Sequence, residues 1–237
     1  MLRNDILQYV YAGLFAVALV LGLYEVEVIA SGAAGLSALN VSLAASTLFL
    51  LGTVLLLGPL SRLFNRFDWA LKYRKEVGIM SFFTGFLHVY LVMFPLARNG
   101  PWGLYSSRPW SAYPGLEALI VLFVLLIISN RYATLALGAK LWWQLQYWGA
   151  RIAFALIAFH MVVLKQKTIM SWLIPGDVPV TPGVVHYPPL IIWEAQFVLL
   201  ILVIRLSELL GAKAARVITI VTSVSLLLMM AWAMFLR

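Results

Sequence analysis

Long apolar blocks separated by short polar stretches run the length of the chain. Seven such blocks, near 8–30, 38–60, 77–97, 115–130, 147–171, 189–206 and 216–236, carry few charges. An α-helix needs about 20 predominantly apolar residues to cross the hydrocarbon core of a bilayer, so the pattern predicts seven transmembrane helices. The fourth block is short, about 16 residues, and takes Tyr113 and Tyr132 as interfacial ends. Gly58 and Pro59 are expected to end the second helix. The longest polar-leaning stretches, 59–76, 97–114 and 172–188, leave no space for a sizeable soluble domain. The expected fold is an all-α integral membrane protein, a single transmembrane domain over residues 1–237.

Composition agrees with the pattern. Of the 237 residues, 63% are hydrophobic and only 11% are charged, against about a quarter charged in an ordinary soluble domain. No phosphate-binding G-x-x-x-x-G-K-[ST] loop and no dinucleotide-binding G-x-G-x-x-G turn is present. The absence of cysteine excludes structural disulfides, Cys-ligated iron–sulfur clusters and thiol chemistry by this chain. Chemistry is therefore expected inside the bundle or at its surface.

The net charge of +8 becomes informative once the loops are assigned by turns to two sides. One side receives Arg3, Arg62, Arg66, Lys72, Arg74, Lys75, Arg131, Lys140, Arg151, Arg205, Lys213 and Arg216, which is 12 of the 17 basic residues. The other holds Arg98, Arg108, Lys165, Lys167 and Arg237. The positive-inside rule makes the first side cytoplasmic, with the N-terminus inside and the C-terminus outside. The excess charge is thus a topology signal, and no nucleic-acid partner is needed to explain it. Residues 1–30 resemble a leader, but the apolar run continues past Glu25 and Glu27 and Asp5 interrupts the basic start, so a retained helix is expected.

Two kinds of polar stretch stand apart. Between Arg62 and Lys75, the aromatics Phe64, Phe67, Trp69 and Tyr73 interleave with basic residues, which suits a segment lying on the inner interface or anchoring helix ends. On the outer side, 97–115 and 171–189 are rich in Pro, Gly, Trp and Tyr, a composition that breaks regular structure and furnishes an aromatic belt or a docking cap.

Ionisable residues within spans are costly and usually functional. His88 lies 11 residues after Val77, and His160 lies nine after Arg151. At 1.5 Å per residue both sit about 14–17 Å along their helices. Those helices run in the same direction, so the imidazoles share a depth. Two neutral imidazoles at one depth suit the axial ligation of a haem iron, with the porphyrin in an apolar site between the helices. Gly85 precedes His88 by one turn, and Ala153, Ala155 and Ala158 surround His160, which allows close approach. With both axial positions filled by protein, electron transfer is favoured over oxygen chemistry. The alternative is that each histidine only hydrogen-bonds across helices. His186, in an outer loop, either sits at the interface with no special role or docks a partner or a surface cofactor. Glu117, Glu194 and Glu208 lie near helix ends and are expected at the interface. Arg151 either snorkels or meets a haem propionate or a donor molecule.

GPLSRLF, then YRKEVGI ahead of the helix with His88, then the Trp142–Gln146 run WWQLQ ahead of the helix with His160, resemble the ferric reductase-like transmembrane domain family over about residues 50–170. Within that family the likeness is nearest to the haem-binding membrane subunit of the bacterial periplasmic methionine sulfoxide reductase system. The resemblance implies a six-helix bundle that moves electrons through b-type haem, with His88 and His160 as the outer-level ligands and iron as the metal they hold. The helix at 216–236 is a seventh, beyond that core. Two-haem relatives carry a further histidine 13 or 14 residues before each ligand, where this chain has Arg74 and Gln146. Neither ligates haem in the usual way, so one haem is implied. Gln146 also departs from the methionine sulfoxide reductase group, which tends to have histidine there.

Eukaryotic relatives fuse a flavin and nicotinamide domain to the bundle, which is not found here. The resemblance therefore implies an oxidoreductase membrane subunit with a separate donor, either a flavin reductase or membrane quinol. Arg74, Gln146 and Arg151 are the candidate contacts for a flavin or quinone. The acceptor is a periplasmic reductase or a metal ion, and the compartment is the cell inner membrane. The rivals are a cofactor-free transporter or assembly factor using the histidines as a polar relay, and a structural subunit. The absence of internal symmetry weighs against a transporter of the common folds.

Overall fold

A computed structural model describes residues 2–96, 103–173 and 187–235. Among these residues the regular structure is helical throughout: α1 (Leu2–Ser31), α2 (Leu36–Phe64), α3 (Asp68–Leu71), α4 (Arg74–Met93), α5 (Gly103–Ser107), α6 (Pro109–Ile128), α7 (Arg131–Leu137), α8 (Ala139–Leu173), α9 (Leu190–Ser207) and α10 (Ala212–Phe235). A single 3-10 turn, Glu208–Leu210, joins the last two. Seven of them, α1, α2, α4, α6, α8, α9 and α10, are long and apolar enough to span a membrane, which matches the hydropathy pattern. Residues 97–102 of the first aromatic outer loop and 174–186 of the second, His186 among them, lie outside the described residues.

Three boundaries differ from expectation, each for a local reason. Pro59 does not end α2, which continues to Phe64. Proline lacks the N–H that would bond the carbonyl of Leu55 one turn back. The guanidinium of Arg205, on α9, donates Nη2–H to that carbonyl instead. The helix closes only at Asn65, whose φ of 53° and N–H bond to the Ser61 carbonyl form a left-handed cap. The fourth span is not short: α6 starts at Pro109 and runs 20 residues, because proline at the first helical position forfeits no hydrogen bond. Tyr113 is then inside α6, and Tyr132 belongs to α7. Finally, Trp142–Gln146 are early turns of the 35-residue α8 rather than a lead-in to it.

The helix most enclosed by its neighbours is α2. With α4, α6 and α8 it forms a closed ring in which each packs on the next and α8 returns to α2. Against this ring α1 covers α2 and α4, α9 fills the groove between α2 and α8, and α10 lies on α9. Leu48, Leu51 and Leu55 of α2, Phe82 of α4, Leu122 and Leu125 of α6, Phe154 of α8 and Ile201 and Ile204 of α9 share one core. Outward faces are also apolar, with Leu14 62% and Leu227 68% exposed, as expected where lipid is the solvent.

At one end of the bundle, Arg62 and Arg205 converge on Glu208 at 2.5 and 3.2 Å. There Arg216 Nε donates to the Leu63 carbonyl at 2.8 Å. These bonds tie the ends of α2, α9 and α10 together. Basic residues assigned to a single side by turns along the chain thus meet in space.

Candidate functional site

The ring of α2, α4, α6 and α8 encloses a cavity in its half away from the basic end. His88 of α4 and His160 of α8 both line it, along with Asn40, Thr47, Gly85, Ser111, Gly115 and Leu119. Each histidine is fixed through Nδ1. In His88 that nitrogen lies 2.9 Å from Asn40 Oδ1 and 3.2 Å from the Asn40 carbonyl, and in His160 it bonds the Ser111 carbonyl. A carbonyl only accepts, so both rings are the Nδ1–H tautomer and each Nε2 keeps its lone pair. Neither Nε2 has a hydrogen-bond partner among the described residues.

Small residues set the approach of the rings. At Gly115 a Cβ would stand 3.0 Å from His160 Nδ1 and 3.1 Å from Cε1. At Gly85 it would meet the Thr47 methyl at 3.2 Å. Just below, the Thr47 and Thr84 hydroxyls bond each other at 2.9 Å, pinning α2 to α4. Leu122, fully enclosed, lines this cavity and a second one beneath it.

The second cavity, about 420 Å³, opens at the basic end. Here the structure places the other three sequence candidates, Arg74, Gln146 and Arg151, together with Arg62, Lys72, Lys75 and Arg205. They do not join the histidines: Arg74 and Gln146 precede His88 and His160 by 14 residues, about 21 Å of helix. Arg151 lies over the Tyr147 ring, 3.3 Å from its centroid, and donates Nη1–H to the Tyr147 carbonyl at 2.7 Å. Gln146 donates to Ser129 Oγ at 2.9 Å, which fastens α8 to the end of α6. Arg74 lies beside Gly58 of α2, its Nη1 3.9 Å from where a Cβ would stand, and has no hydrogen-bond or ion-pair partner among the described residues.

The residues that sequence reasoning missed are those that orient the histidines: Asn40, Ser111 and Gly115. Asn40 and Ser111 act wholly or partly through backbone carbonyls, which have no side-chain signature. Gly115, one residue after Pro114, reads as ordinary helix punctuation. An asparagine facing a helical span was the one available signal.

No curated protein matches the chain. A model of the ferric reductase like transmembrane component does match, over residues 37–158. That range runs from α2 into α8, takes in Arg74, His88, Gln146 and Arg151, and stops two residues before His160. It covers just over half of the chain, and the multi-pass membrane protein described here belongs to the ferric reductase-like transmembrane family.

Proposed function

We propose that this chain is an electron-transfer protein of the cell inner membrane that holds one haem b between His88 and His160 and passes electrons from the cytoplasmic side to an acceptor outside. One observation carries the reading: two histidines on facing helices are each held through Nδ1 by a carbonyl, leaving both Nε2 lone pairs free at one cavity. A hydrogen bond from the second ring nitrogen to an oxygen is how metal-ligating histidines are usually oriented.

The donor set and walls suit the group. Val89, Val92, Leu116, Leu119, Ile157 and Leu164 line the cavity with apolar surface, and Gly85 and Gly115 keep the ring faces clear. The cavity measures about 170 Å³, less than a porphyrin occupies, so these apolar side chains must turn aside to admit one. Haem b, when bound, supplies reversible one-electron chemistry at low-spin iron. His88 and His160 would hold the haem, Asn40 and Ser111 fix their tautomers, and the surrounding leucines would exclude water.

Arg74 and Gln146 lie about 21 Å of helix from the histidines and Arg151 about 14 Å, so the basic end calls for a second carrier, a flavin or quinone. This carrier receives electrons from a flavin reductase or membrane quinol. Within the family the reading sits nearest the haem-binding subunit of the periplasmic methionine sulfoxide reductase system. Because Gln146 departs from that group, the acceptor is named by class, a periplasmic reductase or a metal ion. The seventh span, α10, is an addition to the six-helix core.

A reduced-minus-oxidised visible spectrum of the purified protein tests the core of this. Sharp low-spin b-type bands that disappear in both His88→Ala and His160→Ala are expected. A colourless protein after expression with ample haem would leave the relay or scaffold readings in its place.

A further inference from the structure

Three of the four ring helices carry a second layer: α1 lies on α2 and α4, α9 on α2 and α8, and α10 on α9. The fourth, α6, meets its ring neighbours and the short α5 and α7 at its two ends, and its outward side is open. Glu117, Ile120, Val124 and Ile127 follow one another along that side at three- and four-residue spacing, and all four are exposed. The three apolar residues suit lipid, and Glu117 does not.

The apolar pattern of the sequence sets Glu117 near a helix end. Because α6 begins at Pro109 and runs to Ile128, Glu117 instead stands about 12 Å inside the outer end and about 16 Å from the inner one. Gly115, two residues earlier, is level with the His160 ring. Glu117 therefore shares the depth of the histidines, about 200° round the helix from the side that meets them. It has no hydrogen-bond or ion-pair partner among the described residues. A carboxyl group in hydrocarbon is costly whether or not it is ionised, and its stem is too short to reach water as lysine and arginine do. Ionisable side chains within spans pair with one another or face protein.

We propose that the outward face of α6 is the docking site of a transmembrane helix from a different protein, one that carries a lysine or arginine near the middle of its span to pair with Glu117. Charge decides between the occupants. Among the described residues this chain has no such cation to offer: its lysines and arginines gather at the basic end or, as Arg108, Lys165 and Lys167, lie further out than Glu117. Two copies meeting symmetrically on this face would set carboxylate against carboxylate. A lipid tail supplies no donor at all. The inference rests on nothing in the haem reading.

The test places a photoreactive phenylalanine analogue at Ile120, one turn inward of Glu117, and irradiates membranes of the cells that naturally make the chain. The expected adduct joins α6 to another membrane protein, and mass spectrometry maps the joined residue to a span holding a lysine or arginine. Glu117→Leu, which keeps the surface apolar, lowers the yield tenfold or more. Glu117→Lys abolishes it, and exchanging the partner's cation for glutamate recovers it. The analogue at Leu227, on the lipid-facing side of α10, gives no such adduct. An adduct at twice the mass of the chain would reassign the face to self-association and overturn the proposal. So would adducts with lipid alone, or a protein adduct indifferent to Glu117→Leu. The purified protein gives a check that needs no partner. In detergent Glu117→Leu melts no lower than the parent, because within the chain the carboxylate holds nothing in place. A lower melting temperature would show an internal partner and refute the inference.

Discussion

Residues other than the histidines themselves set the geometry of the pair. Gly115 is the sharpest case, because a Cβ there would stand only 3.0 Å from the His160 ring. Gly115→Ala must move the ring or the helix, an overpacking that costs about 1–3 kcal/mol. The expected result is a purified protein that has lost much of its b-type absorbance yet elutes as a folded species. Gly13→Ala, in α1 with open space around it, should keep the full spectrum. Asn40 acts more gently. Its side-chain oxygen shares the His88 Nδ1–H with its own carbonyl, and such bonds make the ligand more basic. Asn40→Ala should therefore raise the haem midpoint potential in a redox titration while leaving the bands in place. An unchanged potential would mean that the backbone carbonyl alone sets the ring. The histidines were legible in the sequence as a pair at one depth, since each is an isolated polar group in an apolar run. Their partners were not, because carbonyls of Asn40 and Ser111 become acceptors only after four helices have assembled.

Hydropathy alone located all seven spanning helices, because a bilayer leaves few other ways to satisfy a backbone. It misjudged α2, where a Gly-Pro pair that would stop a helix in water is carried through by Arg205 from a segment about 150 positions later. That compensation is non-local and has no sequence signature at Pro59. It can be tested as a cycle. Arg205→Leu removes the donor to the Leu55 carbonyl and one partner of Glu208, and should destabilise the bundle by about 1–3 kcal/mol for the unsatisfied acceptor. Pro59→Ala restores an N–H to the same carbonyl. If the account is right, the double variant melts closer to the parent than Arg205→Leu does, a coupling that independent sites would not show. Additive losses would mean that Arg205 stabilises the bundle through Glu208 instead.

Two stacked cavities share Leu122 as a wall, and the charges around them differ sharply. Among the described residues, the one with the histidines is lined by no Asp, Glu, Lys or Arg, and the other by six cations. A molecule polarised in this way has a built-in sense of direction, provided that its basic end faces the cytoplasm. The positive-inside rule requires this, and the absence of cysteine from the sequence makes it directly measurable. A single cysteine introduced at Lys213, in the first turn of α10 at the basic end, and another at Ser31, at the far end of α1, report the two sides. Both positions are exposed. In intact cells a membrane-impermeant thiol reagent should label Ser31→Cys and spare Lys213→Cys until the cells are opened. The reverse pattern would put the histidine cavity on the cytoplasmic side, and the proposed donor and acceptor would have to exchange places. The expected pattern sets the histidines toward the outside and the arginines where a cytoplasmic donor can reach them. The same charges that orient the chain during insertion then line the cavity at its inner end.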